Sequence, residues 1–237
     1  MTRLAIVPAR GGSKRIHKKN IRDFHGVPMI THVLRTAKAS GLFDEIHIST
    51  EDPEILEIAA KFHEKPKFIR PQELACDHTP LLPVLKNVLT EFENLGITFD
   101  EVWMIMPCAP LIDVEDFNRA AIEYSKLDFP SPLAAIAEYS APIEWAFEKD
   151  ENNKLKPLHP GAFRERSQDL RPKYYETGTF IVYPYEYLKH CDGSEVDQDY
   201  VGIEIDRHKA IDIDDENDWL IAEALFEYFN NKRKHPQ

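Results

Sequence analysis

Short strand-like runs that alternate with amphipathic helical stretches constrain this chain more than any other feature. Residues 4–7 form the first run, closed by Pro8, and residues 46–49, 102–106 and 133–137 form the next three. Val102-Trp103-Met104-Ile105-Met106 has no polar side to offer water, so both faces of that strand must be covered. Between the runs the period changes to 3.6. Pro28 opens a helix with Met29, Ile30, Val33, Leu34 and Ala37 on one face, and Gly41 ends it. Pro53 opens another with Ile55, Leu56, Ile58, Ala59 and Phe62, and residues 82–95 form a third, stopped by Gly96. Phe117, Ala120, Ala121 and Tyr124 then fall at i, i+3, i+4 and i+7. This alternation predicts an α/β fold, a three-layer sandwich on a mainly parallel sheet.

The pattern breaks over residues 140–175, a polar stretch with Pro142, Pro157, Pro160 and Pro172 and a turn signal at Asp150-Glu151-Asn152-Asn153. It reads as an excursion from the sheet, a hairpin arm. Strands are predicted again near 179–183, 201–205 and 209–213. A last helix follows with Leu220, Ile221, Ala224, Leu225 and Tyr228 on its apolar side, and residues 230–237 are expected to fray. With no repeat and no linker, residues 1–237 read as one domain.

Composition excludes several classes. The chain is 43% hydrophobic and 30% charged, as in soluble globular proteins, and no apolar run approaches the roughly 18 residues of a membrane span. The opening residues hold no stretch long enough for a secretion signal, and three widely spaced cysteines offer neither a disulfide framework nor a zinc site. A reducing cytoplasm is the expected home. Lys+Arg 29 against Asp+Glu 41 gives a net charge of −12, unsuited to nucleic acid. The average hides two poles. Residues 10–22 carry Arg10, Lys14, Arg15, Lys18, Lys19 and Arg22 with no acid among them, whereas residues 192–227 hold thirteen acids against Arg207 and Lys209.

Each pole contains one constellation with chemical meaning. Ala9-Arg10-Gly11-Gly12-Ser13-Lys14-Arg15 directly follows the first strand. Two glycines let backbone amides turn inward and the cations supply charge, as a phosphate cradle requires, although a solvated basic loop would look the same. It fits neither the P-loop nor the Gly-x-Gly-x-x-Gly pattern. First strand–helix loops at the carboxyl edge of open α/β sheets are where ligands bind. In Ile211-Asp212-Ile213-Asp214, the two acids would share one face of a strand and could converge on Mg²⁺. Solvent-facing acids beside a helix start, with Asp215 and Glu216 favouring its dipole, are the alternative.

The segment Ile6-Val7-Pro8-Ala9-Arg10-Gly11-Gly12-Ser13-Lys14-Arg15-Ile16-His17-Lys18-Lys19-Asn20-Ile21 resembles the opening motif of the sugar-acid cytidylyltransferases, the CMP-sialic acid synthetase family. The likeness continues through Arg70-Pro71-Gln72-Glu73-Leu74-Ala75, Pro107-Cys108-Ala109-Pro110-Leu111 and Ile211-Asp212-Ile213-Asp214, covering nearly the whole chain in order. Arg166-Ser167-Gln168-Asp169-Leu170 with Tyr175-Glu176-Thr177-Gly178, and Asp77-His78-Thr79, are similar to the pseudaminic acid branch. By composition alone, residues 164–171 would be a charged surface loop.

The resemblance implies a nucleotide-diphospho-sugar transferase type, Rossmann-like sheet and a set of roles. Arg10, Gly11, Gly12, Ser13 and Lys14 would bind the triphosphate of CTP, with Lys19 near the α-phosphate or pyrophosphate. Asn20 would contact the ribose and Arg70 the cytosine, while Asp77 and Thr79 belong to the same nucleotide site. Asp212 and Asp214 would hold Mg²⁺, and Arg166, Gln168, Tyr175 and Glu176 are sugar-side candidates. It implies a homodimer in which residues 140–175 form the dimerisation arm. His17, Met106 and Glu176-Thr177-Gly178 depart from the family's Pro, Gln and Asp-Ala-Gly. Thr79 could also cap a helix before Pro80.

The implied reaction transfers CMP from CTP to the anomeric hydroxyl of a nine-carbon sugar acid, pseudaminic acid foremost, with N-acetylneuraminic or legionaminic acid as alternatives. No residue stands out as general base, although Asp77 and His78 are candidates. A glycosyltransferase also carries Asp-x-Asp, but has no need of an Arg10–Lys14 cradle for a free triphosphate. A nucleotide-binding module without chemistry is a third reading, against which both intact poles argue.

Overall fold

The computed structural model describes residues 1–62, 65–129, 131–193 and 199–234. Glu195 and Asp197 of the acidic pole and the last three residues of the expected fraying tail lie outside them. In chain order the elements are β1 (Arg3–Pro8), β2 (Asp23–Phe24), β3 (Val27–Pro28), α1 (Met29–Ser40), β4 (Glu45–Ser49), α2 (Pro53–Phe62), α3 (Leu81–Asn94), β5 (Glu101–Ile105) and α4 (Val114–Ser125). There follow β6 (Leu133–Glu138), β7 (Phe147–Lys149), β8 (Leu155–Pro157), β9 (Tyr174–Pro184), α5 (Tyr185–His190), β10 (Val201–Glu204) and α6 (Glu216–Lys234).

Six strands form one sheet in the order β10-β6-β9-β5-β1-β4. β1 runs parallel to β4 and β5, β10 parallel to β6, and only β9 is antiparallel to its neighbours. Side chains alternate across the sheet. Ala5 and Val7 of β1 point to a core shared with α1, α2 and α4, whereas Leu4 and Ile6 point to one shared with α3 and α5. This is the expected three-layer sandwich. Within residues 140–175, β7 and β8 form an antiparallel hairpin over the Asp150–Asn153 turn, with Asn153 at φ 61°.

Three expectations fail. Residues 209–213 form no strand; the chain there is irregular and leads into α6. Apolar–acid alternation mimics a strand, yet β10 stops at Glu204 and no ladder pairs this segment. The final helix forms, but it buries Trp219 and Ala222, with Phe226 half-buried beside them, and leaves Leu220, Ile221 and Tyr228 exposed. It remains helical through Lys234 rather than fraying from residue 230.

The buried face of α6 matters for the site. Trp219 and Ala222 pack with Ile16, Phe24, Met29 and Ile213 in a small third core beneath the glycine-rich loop. The Arg22 guanidinium lies 4.3 Å from the Trp219 ring centre, and Phe24 meets the same ring edge-on. The C-terminal helix thereby fastens the basic segment to the acidic one. Among the described residues no helix is long and apolar enough to cross a membrane.

Candidate active site

Beyond the carboxyl ends of β1 and β5 lies a cleft of about 300 Å³. Neighbours connected in opposite directions leave such a gap at a sheet's switch point. Arg10, Ser13, Lys14, Lys19, Asn20, Arg70, Asp77, Thr79, Asp212 and Asp214 all line it, so residues some 200 positions apart share one cleft.

The glycine loop is held from behind. The Gly11 N–H donates to Glu51 Oε1 at 2.8 Å, and the Ala9 N–H to the Ser49 carbonyl at 2.9 Å. A Cβ on Gly11 would overlap Asp52 Oδ2, so glycine is needed for close approach, while Gly12 is exposed with nothing within 4 Å of an added Cβ. Asn20 is buried, and its Nδ2 donates to the Arg10 carbonyl at 2.9 Å. Arg70 is buried as well; its Nη2 donates to the Ser49 carbonyl at 2.7 Å and its Nε to Ser49 Oγ at 3.1 Å.

The two poles meet by direct ion pairs. Arg15 Nη2 lies 2.7 Å from Asp214 Oδ1, Lys19 Nζ lies 3.5 Å from the same oxygen and donates to the Ile213 carbonyl, and Arg22 pairs with Glu216 at 2.6 Å. At the other rim Asp77 receives both Arg10 Nη1, at 2.7 Å, and Lys14 Nζ. Hydrogen bonding from Lys14 and the nearby Arg10 charge hold the Asp77 carboxyl below the usual range. Asp77 is thus the counter-ion of the two cradle cations, at the place where a triphosphate would compete with it. Thr79 does not cap α3, whose N-cap Pro80 has no side-chain bond; its hydroxyl meets Cys76 Sγ at 2.8 Å.

Asp212 stands opposite the cations. It has no hydrogen-bond or ion-pair partner among the described residues, and desolvation together with the Asp214 charge pushes its carboxyl up. Gly178, at φ 63°, brings backbone against it: a Cβ there would lie 3.6 Å from the Asp212 carboxyl carbon. Among the described residues no group of three His, Cys, Asp or Glu side chains could enclose a metal. Two carboxylates, one of them unpaired, fit Mg²⁺ instead, an ion usually held by one or two carboxylates plus substrate phosphates.

The sugar-side candidates are not brought together. Glu176 adjoins Gly178, which lines the cleft: its Oε1 accepts the Gly178 N–H at 2.8 Å, and burial and then the Asp212 charge push its carboxyl up. Tyr175 faces a separate groove beside Ile211 and Ile221. Arg166 and Gln168 lie on an exposed turn of the arm, where Arg166 Nε binds Asp169 Oδ2 at 2.7 Å. Sequence reasoning missed Glu51 and Ser49, which hold the glycine loop and Arg70. The available signal was the polar Ser49-Thr50-Glu51-Asp52 turn between the second strand and its helix, at the same sheet edge.

The sequence model of the cytidylyltransferase family matches residues 4–219. A pseudaminic acid cytidylyltransferase of Campylobacter jejuni serotype O:2 is 37% identical over 180 residues, covering 76% of this chain and 77% of that protein. A CMP-N,N'-diacetyllegionaminic acid synthase of Legionella pneumophila is 27% identical over 231 residues, covering 94% and 96%. The solved structure of a CMP:2-keto-3-deoxy-manno-octonic acid synthetase complexed with CTP matches with a TM-score of 0.69 over 97% of this chain and 100% of that one. At 16% identity, that likeness concerns the fold. With its opening motif, its sheet and its cleft all accounted for, the chain belongs to the cytidylyltransferase family and is a nucleotidyltransferase.

Proposed function

We propose that this enzyme transfers CMP from CTP to the anomeric hydroxyl of a nine-carbon sialic-acid-like sugar acid, pseudaminic acid foremost, releasing pyrophosphate. The observation that carries this reading is the meeting of the basic and acidic poles across one cleft at the switch point. Arg10, Ser13 and Lys14 receive the β- and γ-phosphates as Asp77 yields its place, and Lys19 neutralises charge near the α-phosphate. The sugar oxygen bonds to the α-phosphorus in line as the bond to pyrophosphate breaks, a reaction served mainly by positioning and electrostatics. Asp212 and Asp214 would hold Mg²⁺, which when bound supplies further charge neutralisation on the phosphate oxygens. The similarity to the pseudaminic acid cytidylyltransferase supports the choice of sugar.

Arg166 and Gln168 reach a sugar only if a second copy brings them. The arm exposes Phe147, Leu155, Leu158 and Phe163, consistent with a homodimer in which it crosses to the partner. A monomeric mass by light scattering would overturn that part. Three free thiols suit a reducing cytoplasm. Pyrophosphate release with CTP and Mg²⁺ across pseudaminic, legionaminic and N-acetylneuraminic acids tests the reading. Turnover fastest with pseudaminic acid supports it, whereas CTP binding with no turnover on any acid favours the module without chemistry. Asp212→Asn and Asp214→Asn should abolish turnover and leave thermal unfolding unchanged; near-normal activity in both refutes the metal role.

A further inference from the structure

Two of the segments that line the cleft come from distant parts of the chain, the glycine-loop segment after β1 and the Pro107-Cys108 turn after β5. One side-chain contact joins them directly: Cys108 Sγ donates to Asn20 Oδ1 at 3.2 Å, across 88 residues of sequence. The other end of the same amide is committed too, since Asn20 Nδ2 donates to the Arg10 carbonyl at 2.9 Å. The Asn20 carbonyl accepts the Ile30 N–H at 2.9 Å, which pins its backbone to the start of α1.

We propose that Cys108 is a positioning residue, whose thiol fixes the Asn20 amide so that one amide N–H remains for a ligand in the cleft. Turned the other way, the amide would set Oδ1 against the Arg10 carbonyl, acceptor against acceptor. The Arg10 carbonyl and the thiol therefore demand the same orientation, and each donor is used once. The amide has two N–H groups; one is spent on Arg10, and Asn20 lines the cleft. Asn20 thus keeps one amide donor uncommitted at the cleft, which suits a hydroxyl oxygen or a phosphate oxygen. Burial pushes the Cys108 thiol up to about 12, so at neutral pH its proton is present to donate. The same network fixes the Arg10 carbonyl, and with it the root of a cradle cation.

Without the thiol proton, Asn20 Oδ1 is left as a buried acceptor without that donor, and the Arg10 carbonyl alone still holds the amide's orientation. Serine keeps a donor at that place; valine keeps the bulk and removes it. The inference rests on the reading of the cleft as a CTP site, so CTP affinity of the intact enzyme is measured by calorimetry alongside kinetics. Cys108→Val should weaken CTP about tenfold, raising KM while kcat stays within about twofold, and Cys108→Ser should stay within about threefold of wild type. In an Asn20→Ala background Cys108→Val should add nothing. Unaltered CTP affinity in Cys108→Val overturns the inference. So does equal loss in the serine and valine variants when both unfold at the wild-type temperature. Failure of the wild-type enzyme to bind CTP would instead overturn the underlying reading of the site.

Discussion

Replacing Gly11 by alanine should damage this protein, whereas the same change at Gly12 should not. A Cβ on Gly11 would overlap Asp52 Oδ2 and stand 2.9 Å from the Asp52 carboxyl carbon and 3.0 Å from its Cβ. Asp52 cannot simply turn aside, because its Oδ1 accepts the Glu54 and Ile55 N–H groups at 2.8 and 3.2 Å and caps α2. Losing such a cap costs about 1 kcal/mol. If the loop moves instead, the Gly11 N–H leaves Glu51 Oε1, and Glu51 Oε2 already has no partner among the described residues. A buried acceptor stranded in this way costs about 1–3 kcal/mol. The two routes together span about 1–3 kcal/mol, or about 2–12 °C in Tm for a chain of this length. Gly12 has open space and no positive φ, so alanine there should leave Tm within about 1 °C. Thermal unfolding of the two variants side by side, with CTP titration of each, measures this. Equal melting temperatures, or equal loss of CTP affinity, would refute the packing argument.

Three further outcomes are expected. His47 is buried, neither ring nitrogen has a hydrogen-bond partner among the described residues, and burial depresses its pKa to about 3. Below pH ~6.5 the unfolded chain takes up a proton that the folded chain refuses, so stability present at pH 7 falls as pH is lowered, by about 2 kcal/mol at pH 5. Urea unfolding at both pH values should show this for the wild type and not for His47→Phe. Lys209 Nζ lies 2.8 Å from Asp113 and 2.7 Å from the buried Asp116, so Lys209→Met should cost about 3 kcal/mol in denaturant unfolding, recovered in part by adding Asp116→Asn. Asp77→Asn frees Arg10 and Lys14 and should tighten CTP binding by about threefold; weaker binding would show that Asp77 helps the nucleotide rather than competing with it.

Most of the fold was legible because burial imposes periodicity. β1 and β5, apolar at every central position, could only lie inside a sandwich, and α1–α4 show one apolar face each. The misses share a cause. In α6 both Trp219–Ala222–Phe226 and Leu220–Ile221–Leu225 fit a helical stripe, and only the neighbouring Phe24 and Ile213 decide which is buried. Residues 209–213 alternate as a strand does, but a strand also needs a partner. The direction of β9 has no signature in local sequence, since an antiparallel strand covered on both faces is as apolar as a parallel one.

For the site, sequence alone determined the chemical inventory: a glycine loop with cations after the first strand, and an acid pair near the end. It also placed the first of these at the sheet edge where ligands bind. Tertiary structure decided the pairing. Arg15 and Lys19 meet Asp214 only because α6 packs its tryptophan under the glycine loop, and Asp77 reaches Arg10 only because the loop before α3 folds over the cleft. Glu51 on the Gly11 amide and Cys108 on Asn20 are contacts between segments of unrelated pattern. Local periodicity reports which side of an element is buried, but contact between two elements depends on how the whole sheet orders them.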